Sequence, residues 1–355
     1  MFNLIDRYIA RQVISASLLI LFLLASLSSL FGLLNELTSL GKGSYQFSDA
    51  LLYTGLTLPS KLIEFFPMSV LIGALFALGA MASSSELTVM RASGMTTWRI
   101  AGSSLKASLI LMLVLVLVGE GVAPRATKAA QQLRTAAISG GELSFSQTGL
   151  WAKRNNEIIQ IGRLLNDGQL RDLTIYQLSL KSRLNRIIQA QQAYQNGTDW
   201  VLQGVVETRF YSDKIETTKS PSKIWLQPLA HSQIETLTLE PETLNIAGLL
   251  DYIEYLSANA LESKPFELAL WRKILQPLAI AVMMFLAASF VFGPMRNASM
   301  GGRILSGVLL GFVFHLANQS FGPVSLVFNT WPLIGAALPL FIFAGAAWQL
   351  MKKAG

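Results

Sequence analysis

The sequence predicts a membrane α-helical fold: six transmembrane helices, three before and three after an inserted all-β, jelly-roll-like domain. Three observations carry this expectation. Of 355 residues, 52% are hydrophobic and only 14% are charged, against roughly 25% charged in a soluble domain. The charges are segregated, with long uncharged runs near both ends of the chain and a more polar middle. That middle consists of short runs rich in Ile, Val, Thr, Tyr and Trp, bounded by turn signals. The composition excludes an ordinary soluble enzyme and a disordered chain. The absence of cysteine excludes disulfides, thiolate metal sites and cysteine nucleophiles.

Residues 13–34 carry no charge. At about 1.5 Å per residue they cross a hydrocarbon core of about 30 Å. The run is too long for a cleavable signal peptide. Residues 65–85 form the second run, with a helix start expected near Asp49. Residues 100–119 form the third, interrupted by Lys106 near one end, where its amine can snorkel. The fourth is 274–295. Residues 304–351 are uncharged and too long for one span; Gly322-Pro323 and the segment 329–332 are expected to divide them into helices five and six.

Basic residues set the orientation. Arg7, Arg11, Arg91, Arg99, Arg296, Arg303, Lys352 and Lys353 collect on one side, and only Lys42 occupies a short loop on the other. The positive-inside rule then puts both termini in the cytoplasm and residues 124–265 outside, since long loops translocate regardless of charge. The organisation is 1–123, 124–265 and 266–355. Within the middle segment, strands are expected at 157–165, 169–180, 186–195, 200–211 and 223–229, in a domain of roughly ten. Asp167-Gly168 and Asn196-Gly197 are hairpin signals, because both residue types tolerate positive φ. Residues 241–261 read as a helix leading back to the membrane.

No catalytic constellation is visible. His231 and His315 lie far apart, and Gly41-Lys42-Gly43 lacks the glycine and hydroxyl residue of a phosphate-binding loop. No metal ligand set is expected, no cofactor in this chain, and no nucleic-acid partner. The informative stretch is 82–99. Ser83 to Ser85 can cap a short helix with Glu86 in its first turn, Leu87, Met90 and Arg91 lie close together on it, and Gly94 can end it. Such an amphipathic helix suits a groove on a partner; an interfacial connector fits the periodicity equally well.

The stretch Ser85-Glu86-Leu87-Thr88-Val89-Met90-Arg91-Ala92-Ser93-Gly94, with Phe65-Phe66-Pro67, Val122-Ala123-Pro124 and Gly149-Leu150-Trp151-Ala152-Lys153, resembles the LptF/LptG family of lipopolysaccharide export ABC transporter permeases. The resemblance runs in order over the whole chain. It implies a bacterial inner-membrane, multi-pass permease with a periplasmic β-jelly roll. The implied partners are an LptF-like permease, an LptB-like cytoplasmic ATPase dimer that binds ATP and Mg, an LptC-like single-span periplasmic protein, and lipopolysaccharide. It also implies that residues 84–92 are a coupling helix, with Glu86, Leu87, Met90 and Arg91 engaging the ATPase. A different class, a membrane-anchored scaffold whose β-domain binds an envelope protein without transport, is the alternative.

Lipid A carries phosphates, so a site for it needs a basic rim over apolar walls. The rim candidates are Lys42, Lys61, Arg125, Lys128, Arg134, Arg272 and Lys273. Any one of them can instead be a solvated anchor at the interface. Lys61 has Glu64 at i+3 as a possible ion partner, and it lies one residue later than the family's lysine after Pro59. Arg134 matches a basic position of the family. Leu18, Phe22, Leu30, Leu33 and Leu34 are candidates for an acyl-chain cavity, or face lipid. Gly307, Gly311 and His315 share a face of helix five with Asn318 and Gly322 and are read either as a gate or as close helix packing.

Overall fold

The computed structural model describes residues 3–354 apart from 140–141, 145–149, 155, 166–168, 180–182, 197–198, 212–213, 226–240, 260 and 295–298. Met295, Arg296, His231, Gly149 and the turns at Asp167-Gly168 and Gly197 therefore lie outside the described residues. Six helices are long and apolar enough to cross a membrane. They are α1 (Leu4–Leu37), α2 (Phe47–Ser83), the continuous pair α4 (Thr97–Val116) and α5 (Ala123–Ser139), α7 (Lys264–Phe292), α8 (Met300–Val327) and α9 (Pro332–Ala354). A π-turn, Leu117–Val122, joins α4 to α5. Two short helices complete the set: α3 (Glu86–Ala92) and α6 (Ile246–Ala258).

α2 starts at Phe47, close to the expected point, because the Asp49 carboxylate accepts from the Gln46 N–H at 2.8 Å and closes a capping box. It is the central post of the bundle. Val70, Leu71, Ala74, Leu75 and Leu78 are fully buried among residues of α1, α4 and α7. Small residues set how closely its neighbours approach. A Cβ on Gly73 would stand 2.5 Å from the Ser17 backbone nitrogen of α1. Gly307 and Gly311 of α8 instead face side chains of α2, Leu75 and Met68. Arg303 is buried and donates to the Gly79 carbonyl at 2.6 Å and to Ser83 Oγ at 3.0 Å, tying the start of α8 to the end of α2. Its charge also suits the negative end of that helix dipole.

Two sequence expectations change here. Gly322-Pro323 does not end the fifth span; α8 runs through it to Val327. Proline has no N–H to give the carbonyl four residues back. That carbonyl, Gln319 O, accepts instead from Arg272 Nη2 at 3.2 Å, and Asn318 O accepts from the same nitrogen at 2.8 Å. The helix stops at Phe328, followed by Asn329 at φ +53°, and Thr330 donates twice to Ser325 O. Lys106 does not snorkel alone: its Nζ lies 2.6 Å from the buried Asp6 carboxylate of α1.

Between α5 and α6 the described residues hold seven strands: β1 (Glu142–Ser144), β2 (Leu150–Arg154), β3 (Glu157–Leu165), β4 (Leu170–Leu178), β5 (Leu184–Asn196), β6 (Asp199–Phe210) and β7 (Ile215–Trp225). All pair antiparallel in one sheet, in the order β3-β4-β5-β6-β7, with β1 and β2 sharing the outer edge of β3. The Asn196↔Asp199 pair brackets the expected β5–β6 hairpin. The seventh strand begins at Ile215 rather than 223. It is an edge strand whose exposed residues need not be apolar, so Glu216, Lys219 and Pro221 hid it from the pattern.

Register stacks Ile159, Ile175 and Ile188 in one row and Ile161, Leu173 and Ala190 in the next. Alternate residues point to one side, so these rows and Trp200, Leu202 and Trp225 make one continuous apolar face. Tyr255 of α6 packs against it.

On the sheet, Glu207 lies among Arg186, Arg209 and Lys223. Burial alone raises its pKa, but the hydrogen bonds from these three cations outweigh it and hold the carboxyl at about 2, against 4.5 when free. A depressed folded-state pKa stabilises fully above the free value, and that stability fades as pH falls from 4.5 towards 2. Resistance of the β-domain to proteolysis is therefore expected to fall between pH 5 and pH 2.5, and Glu207→Gln to be weaker at neutral pH with a flatter profile.

Candidate functional site

Two sites emerge, at opposite ends of the bundle. Six crossings bring both termini to one end, and α3 sits there. Ser85 holds φ +64° at the start of α3 and makes no side-chain cap bond. A hydroxyl cap needs an extended backbone at that position, so the expected serine cap is replaced: Ser84 Oγ donates to Glu86 Oε1 at 2.9 Å. Gly94, at φ +92°, ends the helix as expected. Its N–H reaches Arg91 O at 3.0 Å, and Met95 N reaches Met90 O at 3.1 Å, a Schellman pair.

The helix is rooted by its apolar side. Leu87 is buried in the core of the helical bundle, and Met90 packs against that core. Arg91 is exposed and Glu86 half-buried. Val89, which the sequence reading passed over, is 63% exposed. Glu86 Oε2 accepts from Tyr8 Oη of α1 at 2.9 Å. Beside α3 runs a cleft lined by Thr88, Arg91, Met95, Trp98 and Phe292. Its Trp98 is fixed edge-on to Trp348, with ring centres 5.2 Å apart.

The second site is a cavity of about 840 Å³ in the half of the bundle nearer the sheet, between α2, the π-turn, α5, α7, α8 and α9. Its apolar wall includes Met68, Leu115, Leu275, Phe314 and Leu340. Its polar wall is paired. Lys61 Nζ lies 2.9 Å from Glu64 Oε2, and Lys273 Nζ 3.3 Å from Glu120 Oε1. The other Glu120 oxygen accepts the Ile246 N–H at 2.8 Å, which ties the π-turn to the start of α6. His315 stacks on Phe65 and places Nε2 4.0 Å from Glu64 Oε1.

The expected basic rim is thus divided. Lys61, Arg272 and Lys273 line the cavity. Arg134 is elsewhere: its Nε lies 3.0 Å from Glu36 Oε2, and its guanidinium covers the Tyr53 ring. Lys42 is exposed on the loop between α1 and α2, which docks on the end of α5 through Ser44 N to Ala137 O at 2.8 Å. Arg125 is exposed on α5 and Lys128 is half-buried.

The shared face of helix five is real and has two uses. Gly307 and Gly311 seat α8 on α2, so that part is consumed within the chain. His315 and Asn318 continue it into the cavity, and Gly322 abuts Arg272. The remaining face of α8 is open: Leu305, Leu309, Phe312 and Leu316 are exposed. So is most of α1, including Leu18, Leu30 and Phe22, the last at 70%; Leu33 is half-buried. The residues that sequence reading missed are Tyr8, Asp6, Val89 and Glu120. The last two had a signal: an apolar residue among polar neighbours, and an acid at the end of an uncharged run.

Among the described residues, six helices long and apolar enough to cross a membrane, interrupted by one antiparallel sheet, give the chain the build of a multi-pass membrane protein. The chain belongs to the lipopolysaccharide export system permease LptF/LptG family, whose model matches residues 7–353. It is 38% identical over 356 residues to the lipopolysaccharide export system permease protein LptG of Escherichia coli (strain K12), covering 99% of both chains. It is 34% identical over 355 residues to the protein of the same name from Haemophilus influenzae, again over 99% of each. As a permease component of this family it is not itself an ATPase.

Proposed function

We propose that this chain is one permease half of an ATP-driven lipopolysaccharide exporter, set in the inner membrane with both termini in the cytoplasm and the β-domain in the periplasm. An LptF-like permease completes the membrane passage against the open faces of α1 and α8. An LptB-like ATPase dimer, holding ATP and Mg, docks on α3. An LptC-like single-span protein receives the lipid beyond the β-domain. The sheet's apolar rows shield acyl chains in transit.

The observation that carries this reading is the build of α3. Its apolar side is rooted in the chain's own core, while Val89 and Arg91 are exposed and Glu86 is half-buried. A helix held this way transmits displacement rather than absorbing it. Leu87 and Met90 therefore serve as the root, and Glu86 and Arg91 as the contacts. Of the basic residues, Lys61, Arg272 and Lys273 sit where a lipid phosphate meets an apolar wall.

In proteoliposomes containing the whole complex and lipopolysaccharide, Glu86→Ala is expected to cut lipid released per ATP hydrolysed about tenfold, the effect of losing one charged hydrogen-bonding group. Thermal unfolding reports that the fold is intact. Unchanged release would reject the coupling role and favour a scaffold that moves no lipid.

A further inference from the structure

We propose that Tyr8 is the positioning residue that holds Glu86 and carries the displacement of α3 into α1. The inference rests on the coupling role of α3. Both Glu86 oxygens are engaged inside the chain: Oε1 by Ser84 Oγ at 2.9 Å, and Oε2 by Tyr8 Oη at 2.9 Å. The first contact is local. The second reaches across 78 positions to the first turns of α1. A carboxylate held at both oxygens is presented in one orientation, which a docking groove can read.

Tyr8 is itself on a pinned turn. Asp6, two residues earlier, is buried and accepts from Lys106 Nζ at 2.6 Å and Ser103 Oγ at 2.5 Å, both on α4. Ile9 and Val13 are fully buried in the core cluster that also holds Leu87. The start of α1 is thus clamped between α3 on one side and α4 on the other. Further along, burial of α1 ends at Ala25. Beyond it Ser28, Ser29, Gly32 and Leu33 are only half-buried, and near its end Glu36 meets Arg134 and Tyr45. A shift of α3 therefore enters α1 at its best-anchored turn. It moves the exposed row Leu18, Phe22 and Leu30, the face proposed to line the lipid path. Space-filling by the ring alone would not need the hydroxyl, so Tyr8→Phe isolates the link.

The test uses the whole complex in proteoliposomes. This chain has no cysteine, so nitroxide labels can be placed on Leu30→Cys in α1 and Leu338→Cys in α9, and their separation measured with and without a trapped nucleotide. The expected result is that Tyr8→Phe leaves the unfolding temperature in place, lowers lipid released per ATP about tenfold, and abolishes the nucleotide-dependent change in label separation. Tyr8→Phe with normal lipid yield and normal label movement, beside a defective Glu86→Ala, would overturn the Tyr8 link and leave the coupling role standing. A Glu86→Ala complex that exports normally would overturn both.

Discussion

Gly73→Leu is expected to be the most damaging single change in the membrane bundle. At this position α1 and α2 touch backbone to backbone: an added Cβ would stand 2.5 Å from Ser17 N and 2.7 Å from Ser17 Oγ. A flexible side chain can swing away from such a contact; a helix backbone cannot. Either α1 moves outward as a unit or α2 rotates, and each strips the packing of Val13, Leu71 and Leu75. Overpacking usually costs 1–3 kcal/mol, so a backbone clash is expected to cost about 3 kcal/mol or more. The unfolding midpoint in detergent should fall sharply. Gly102→Leu, on α4 with open space around its Cβ, should leave the midpoint nearly unchanged and serves as the control. Equal midpoints for the two variants would show that α1 does not need this close approach.

The second large effect is expected from Ile175→Asp in the sheet. Ile175 is fully buried between Ile159 and Ile188. A carboxylate there would have no cation beside it on the apolar face. Burying an unpaired charge costs several kcal/mol, or forces the group to stay protonated. Among the described residues the sheet draws its core from one apolar face, and folded domains hold only about 5–15 kcal/mol in reserve. Proteolysis is therefore expected to cut the variant between α5 and α6 while sparing the membrane helices, and crosslinking of lipid to the β-domain should disappear. Thr174→Asp, one residue away and on the other face of β4, should preserve both. If both variants resist protease alike, the apolar rows do not hold the domain together.

Most of the architecture was legible in the chain. Uncharged runs long enough for a bilayer, a change of period from helical to alternating, and the placement of basic residues led to six helices with an inserted β-domain. The helix start near Asp49 and the helix end at Gly94 rest on local contacts, so nearby residues announced them. What failed was non-local. Pro323 reads as a helix end because its compensating donor, Arg272, lies 47 positions before the Gln319 carbonyl it serves. The same distance in sequence hid the reason for Arg272 itself, which was read only as a phosphate ligand or an anchor. Spacing grouped Leu87 with Met90 and Arg91, yet it could not say that the first two face inward.

Hydropathy and periodicity are properties of consecutive residues, and the free energy of moving a segment into lipid is a sum over those residues. The sequence alone therefore determined which segments cross a membrane, where the sheet is inserted and which short helix stands apart. Whether a charge is a ligand, an anchor or half of an ion pair depends on the inverse distance to its nearest partner in a low-dielectric interior. Asp6 finds Lys106 100 positions away, Glu36 finds Arg134 at 98, and Glu86 finds Tyr8 at 78. Only the tertiary structure decided these pairings, because only packing sets those distances.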